Sequence, residues 1–322
     1  MNVIDLREPG TGSISQAPTQ AELATDRVVR GAAFVSGALV VLLLAYILWK
    51  IGGQAMPAIR HFGLSFLTTA VWDPGRETFG ILAEIWGTLY SSILAILVAG
   101  FFGIGVAIFL TQDFLDARLA RVFRTVIEML AAIPSVVFGL WGIYVVIPAL
   151  RPVAEFLHGH FGFFPLFSTS LAGPGMAPAV IVLAIMVLPT VAAISQDAFT
   201  LIPYKVKEAA YGMGTTKWEA IMKVMLPTAT SGIFASLVLG FGRALGETMA
   251  LAMLIGNSNQ ISWSLFSPAN TLASLLASQF PEASGLEVQA LMYAAIVLLL
   301  ISLVVNMVGT LIMAFSAQQK VA

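Results

Sequence analysis

Residues 176–195 read MAPAVIVLAIMVLPTVAAIS, twenty positions without a charged side chain. A helix needs about 20 mainly apolar residues to cross a hydrocarbon layer about 30 Å thick, so this run predicts a transmembrane helix. Five further stretches have the same character: 31–49, 88–111, 126–150, 231–255 and 288–315. The whole chain of 322 residues is 58% hydrophobic and only 10% charged, against about 25% charged in an ordinary soluble domain. Too few charges remain to solvate the surface, and a bilayer must replace water over much of it. The expected fold is therefore an all-α integral membrane protein with six spans in one domain, 31–315. Residues 1–30 are polar and aperiodic and are expected to be a disordered tail, with 316–322 a short C-terminal end. The first apolar run begins too late and runs too long for a signal peptide, so it is expected to stay in the mature protein.

The few charges carry the orientation, because basic residues are retained on the cytoplasmic side. Arg7, Arg27, Arg30, Arg118, Arg121, Arg124, Lys205, Lys207, Lys217, Lys223 and Lys320 flank one side, 11 in all; Lys50, Arg60, Arg76 and Arg151 flank the other, and Arg243 lies within a span. Both termini and the loops after spans two and four are thus expected in the cytoplasm. A net charge of −1 excludes the basic stripe of a nucleic-acid binder, and zero Cys excludes disulfides and thiolate chemistry.

The three outward loops are then 50–87, 151–175 and 256–287. In the last, Asn270 precedes Leu272, Leu275, Leu276 and Phe280, which predicts a short helix capped by Asn270. His61, His158 and His160 all fall in outward loops, but no acidic or Cys partner has ligand spacing, so no metal is expected.

The loop 197–230 is long for a helical bundle and neither apolar nor disordered in composition. It contains KEAAYGMG at 207–214 and VMLP at 224–227. A short helix over 203–211 is predicted to stop at Gly212 and Gly214, and a second, 217–224, to end before Pro227, which opens span five. Small Ala209 and Ala210 would let another surface approach closely. A bundle loop has no internal need for such a surface, so a docked partner is implied.

Glu208, Ala209, Ala210, Gly214, Val224, Leu226 and Pro227 together resemble the EAA signature of ABC-importer permeases, the MetI-like family of binding-protein-dependent transport components, with Val224 in place of the commoner Ile. The resemblance narrows further. LAAIPSVVFGLWG at 130–142, GRALGETMA at 242–250 and TLAS at 271–274 are similar to signatures of the C-type permease of phosphate importers. The likeness covers about residues 30–315 and implies several things. The EAA loop would be the coupling helix that seats in an ATPase subunit. The chain would be no enzyme and bind no cofactor; ATP and magnesium would belong to two copies of the partner ATPase, in keeping with the absence of a G-x-x-x-x-G-K-[ST] loop here. A homologous second permease and an extracytoplasmic phosphate-binding protein would complete the assembly in the bacterial cytoplasmic (inner) membrane.

Intramembrane charges are costly and face the bundle interior or a water-filled path. Arg243 and Glu247, four apart, are expected to share one face of span five. Two readings stay open: the pair neutralises itself and ties helices together, or Arg243 offers its planar fork to phosphate oxygens while Glu247 holds it and tempers its charge. A single Arg facing a divalent anion also implies that the second permease supplies further cations. Glu128 is expected to meet Arg124 one turn earlier. Pro134 and Pro189 are candidate kinks, and Gly242 with Gly246 forms a close-packing G-x-x-x-G. Competing functions are a permease for another oxyanion, sulfate or molybdate, and an ATP-independent transporter or channel, which would show mid-membrane coupling carboxylates or an inverted repeat.

Overall fold

The computed structural model describes residues 20–112 and 114–318. Two compact units divide at Gly53. The first holds the N-terminal part of α1 (Gln20–Phe62), where Phe34, Leu42, Tyr46 and Trp49 are all exposed and none of its most apolar stretch is buried. Such a helix needs lipid or another membrane helix around it. The tail expected over 1–30 is corrected from residue 20 onward, where the helix already runs; the remainder lies outside the described residues.

The second unit begins with the end of α1, the single turn α2 (Ser65–Thr68) and a minimal hairpin. Strands β1 (Trp72–Asp73) and β2 (Thr78–Phe79) pair antiparallel with Trp72 opposite Phe79, and the Asp73 carboxylate accepts from the backbone N–H of Gly75 (3.0 Å) and Arg76 (3.2 Å) to close the turn. Then follows α3 (Leu82–Thr111), the second candidate span.

Span three differs from the expected 126–150. An amphipathic helix, α4 (Ala117–Ala131), comes first, N-capped by Asp116 through the Arg118 N–H at 3.3 Å and burying none of its residues. The chain then breaks, because Pro134 has no N–H to donate and is disfavoured inside a helix. The span itself runs from α5 (Ser135–Trp141) through a π-helical turn, Gly142–Val146, into α6 (Ile147–Phe161). His158 and His160 therefore belong to α6 rather than to a loop, and His158 Nδ1 lies 2.8 Å from the Phe167 carbonyl.

Span four is α7 (Met176–Thr200), and Pro189 sits within it without ending it. The loop helix α8 (Tyr204–Gly212) follows. Span five is also displaced: α9 (Lys217–Ala220), a second π turn (Ile221–Met225) and α10 (Leu226–Leu245) form one continuous helix from 217 to 245. The predicted separate helix 217–224 and span 231–255 are corrected accordingly. Each π turn ends two residues before a proline, Pro148 or Pro227. Proline removes one hydrogen bond and crowds the carbonyl four residues back; widening the preceding turn lets the helix pass through without a break.

After α10 come the short α11 (Met249–Leu254), α12 (Leu272–Gln279) and the last span, α13 (Leu286–Gln318). Among the described residues six helices are long and apolar enough to cross a membrane. The centre is α7, whose Leu183, Val187 and Val191 pack with Ala95 and Ala99 of α3, Ala244 of α10 and Leu254 of α11. Gly240 permits this: a Cβ there would lie 2.9 Å from side-chain atoms of Ile96 and Val191. A second cluster joins Phe66, Ile81, Leu272, Leu275 and Leu291, and a third gathers Phe199, Ile202, Ala210, Ile221 and Met225 around the loop after α7.

Candidate functional site

The EAA loop is built from α8 and α9 set on the third cluster. Pro203 begins α8 with extended ψ (137°), and Gly214 ends its turn with φ +81°, a left-handed conformation that costs any residue with a Cβ. The released carbonyls find partners: Met213 N–H donates to Ala209, Gly214 N–H to Tyr211, and Thr215 Oγ1 to Ala210 at 2.8 Å. Thr216 and Glu219 then form a capping box at the start of α9. Lys217 Nζ lies 4.2 Å from the ring centroid of Phe114, linking this loop to the segment before α4.

Within the signature the residues divide into two roles. Glu208 and Ala209 are exposed, together with Tyr204, Tyr211 and Met213, and form the presented face. Ala210 is buried in the cluster with Ile221 and Met225, and Val224 and Leu226 pack beside it. The expectation that both alanines are open to a partner is thus corrected: only Ala209 is exposed, while Ala210 lets α8 sit closely on the start of span five. Gly214 supplies the turn and Pro227 lies two residues beyond the π turn.

Arg243 and Glu247 do not share a helix face. The last turn of α10 ends at Leu245, with Gly246 its C-cap. Glu247 lies in the break before α11, where its Oε1 accepts from the Ala250 N–H at 3.4 Å. Among the described residues the two make no ion pair with each other, so both the self-neutralising pair and the expectation that Glu247 holds Arg243 and tempers its charge are corrected: the helix ends at Leu245, and the shared face that either needs is lost. Arg243 is exposed on the chain at the end of a helix interrupted within the bundle, and α11 turns back to pack on α5, with Gly139 against Met253. A Cβ added at Gly242 would lie 3.3 Å from Asn306 Oδ1 of α13, but one at Gly246 would meet only carbonyls of its own helix, so G-x-x-x-G is not a two-glycine contact. Arg124 donates to Gln196 of α7 at 3.0 Å rather than meeting Glu128.

A model of the family described as binding-protein-dependent transport system inner membrane component matches residues 101–320. The chain belongs to that family. Its relatives within this transport family include the phosphate transport system permease protein PstC of Pasteurella multocida, 42% identical over 278 residues, covering 85% of this chain and 87% of that one. The protein of the same name from Mesorhizobium japonicum is 38% identical over 290 residues, 88% of each chain. Among solved structures, the inward-facing MetNI methionine ABC transporter aligns with TM-score 0.55 at 18% identity over 73% of this chain and 95% of that one. A bacterial alginate ABC transporter, in complex with an alginate-bound periplasmic protein, aligns with TM-score 0.59 at 14% identity over 88% and 94%. These likenesses give the fold of an ABC-importer permease, a multi-pass component of the inner membrane.

The region where α3 meets α12 also holds residues that sequence reasoning passed over. Glu84 is completely buried in α3, flanked by Ala83, Ile85 and Trp86. It falls in the stretch assigned to a loop, four residues before the predicted span; an acid inside an apolar run was its only signal. The cap of α12 is Thr271, in a capping box with Ser274, whereas Asn270 supports it by accepting from the Thr271 N–H at 2.9 Å.

Proposed function

We propose that this chain is the permease subunit of an ATP-driven importer of inorganic phosphate, forming half of the pathway. The reading rests on one observation above the rest: relatives named phosphate transport system permease protein PstC match it at 38–42% identity along most of its length. The geometry suits that role. Glu208 and Ala209 present the face on which an ATPase subunit would dock, at the expected cytoplasmic end. Beneath them Ala210 packs on Ile221 and Met225, which belong to the continuous helix from 217 to 245. That helix carries Arg243 about 40 Å from its start at 1.5 Å per residue. Closure of two ATPase copies on binding ATP and magnesium would therefore pull a single lever whose far end bears the cation.

At that end Arg243 offers two parallel N–H groups to an oxyanion, and among the described residues no carboxylate pairs with it. Glu247, engaged at α11, shapes the break beside it. An unpaired anion cannot cross an apolar path, and a divalent one needs more than one cation; the homologous second permease would supply the rest. An extracytoplasmic phosphate-binding protein would deliver the substrate to the opposite end, at the hairpin and the segment before α12. The chain binds no cofactor in this account and hydrolyses nothing. Co-reconstitution with the ATPase, the second permease and the binding protein tests it. ATP-dependent uptake of phosphate but not of sulfate or molybdate is expected; preferential sulfate or molybdate uptake replaces the substrate, and uptake without ATPase rejects the importer reading.

A further inference from the structure

Glu84 has no solvent exposure, and neither of its carboxyl oxygens has a hydrogen-bond partner among the described residues. Its helical turn is a junction. The Glu84 carbonyl accepts from Thr88 Oγ1 at 2.7 Å, and the same Oγ1 accepts from the Leu272 N–H at 2.9 Å, the first residue of α12. Between them Gly87 brings backbone onto backbone: a Cβ there would collide with the Asn270 carbonyl oxygen. Ile81 and Ile85 pack in the same cluster as Leu272 and Leu275. Trp72 packs there too, and its Nε1–H is likewise buried without an acceptor.

No neighbouring element gives Glu84 an ion-pair partner among the described residues. α12, α2 and the segment 256–271 carry no titratable side chain. On α3 itself the other titratable group is Tyr90, which donates to the Trp263 carbonyl. The end of α1 contributes Arg60 and His61, the segment joining α12 to α13 Glu282, the start of α13 Glu287 and Tyr293, and the hairpin Asp73, Arg76 and Glu77. Tyr293 donates to the Gly63 carbonyl, Asp73 closes its own turn with Arg76, and none of these groups bonds to Glu84. An ionised carboxylate buried this way, unpaired, costs several kcal/mol. A proton on the carboxyl removes that cost; water entering the junction removes it too, and also gives the Trp72 N–H an acceptor.

We propose that Glu84 is a proton-operated latch at the α3–α12 junction, holding it closed while the carboxyl carries a proton and releasing it when the proton leaves. The sign is fixed by the chemistry: the closed junction is favoured at low pH and lost as pH rises. The latch does not depend on which anion is carried, and its test needs no transport.

The test is amide hydrogen exchange across Leu272–Gln279 in the full chain in lipid nanodiscs, between about pH 5 and about pH 9, wild type against Glu84→Gln. Dividing the two rates at each pH cancels the intrinsic pH dependence of exchange. The ratio is expected to be near one at the acid end and then to climb by up to about tenfold per pH unit, the slope of one proton released on opening. A flat ratio overturns the proposal. Infrared spectra of the wild type with isotope-labelled glutamate give a reading that does not need the Gln variant to fold. A protonated carboxyl band at the acid end that fades as pH rises, and is absent in Glu84→Ala, is expected; a wild type without such a fading band overturns the latch.

Discussion

Glu247 and Arg243 stand on opposite sides of a helix break, the carboxylate accepting from the Ala250 N–H at 3.4 Å and the guanidinium in no ion pair among the described residues. The separation turns a would-be ion pair into two devices: an acceptor for the first turn of α11, one residue before its N-cap Thr248, and a cation at the end of span five with no ion pair among the described residues. Each can be tested alone.

Because Glu247 acts as an acceptor, Glu247→Gln should keep the fold, its amide oxygen still reaching the Ala250 N–H. Glu247→Ala should lower stability by about 1 kcal/mol, the usual cost of a lost cap. Thermal unfolding of the two variants in the same detergent distinguishes them; equal melting would place Glu247 outside the cap.

Arg243→Lys keeps the charge but loses the planar fork. Phosphate uptake by the reconstituted importer should fall about tenfold or more, with the complex still assembled on size-exclusion chromatography. Unchanged uptake would mean that only charge is required there.

The two alanines of the loop should part company. Ala209→Asp alters the exposed face alone and should uncouple ATP hydrolysis from uptake while leaving the melting temperature where it was. Ala210→Leu overfills the cluster with Ile221 and Met225 and should destabilise by about 1–3 kcal/mol. Gly214→Ala, at φ +81°, should cost about 1–2 kcal/mol through backbone strain.

Thr88→Val removes the acceptor for the Leu272 N–H. An unsatisfied buried donor costs about 1–3 kcal/mol, and faster exchange confined to α12 is the expected signature. Uniform loosening of the whole bundle would contradict a local tie.

The apolar runs made the six spans readable because lipid demands about 20 such residues in a row. Their ends were less so. The window 126–150 hides the break at Pro134, since Ala131, Ala132 and Ile133 keep it hydrophobic while the backbone leaves the helix; Arg118, Arg121 and Arg124, spaced three apart, were the sign of a separate helix α4. Likewise Arg151, Glu155 and His158 make the end of α6 look like a loop. The relation of Arg243 to Glu247 required a helix continuing past Gly246, and only the fold shows where it stops. In the EAA loop, spacing located every residue, yet which alanine faces out depends on the cluster formed with span five. Glu84 was hidden for the opposite reason: its burial comes from α12, nearly 190 residues away.

The most direct measurement is uptake of radiolabelled phosphate and of sulfate into proteoliposomes holding the whole importer, with ATP inside, comparing wild type with Arg243→Gln. The account predicts ATP-dependent phosphate accumulation by the wild type alone, no comparable sulfate uptake, and an assembled but inactive variant. Full phosphate uptake by Arg243→Gln, or sulfate carried in preference to phosphate, would contradict it.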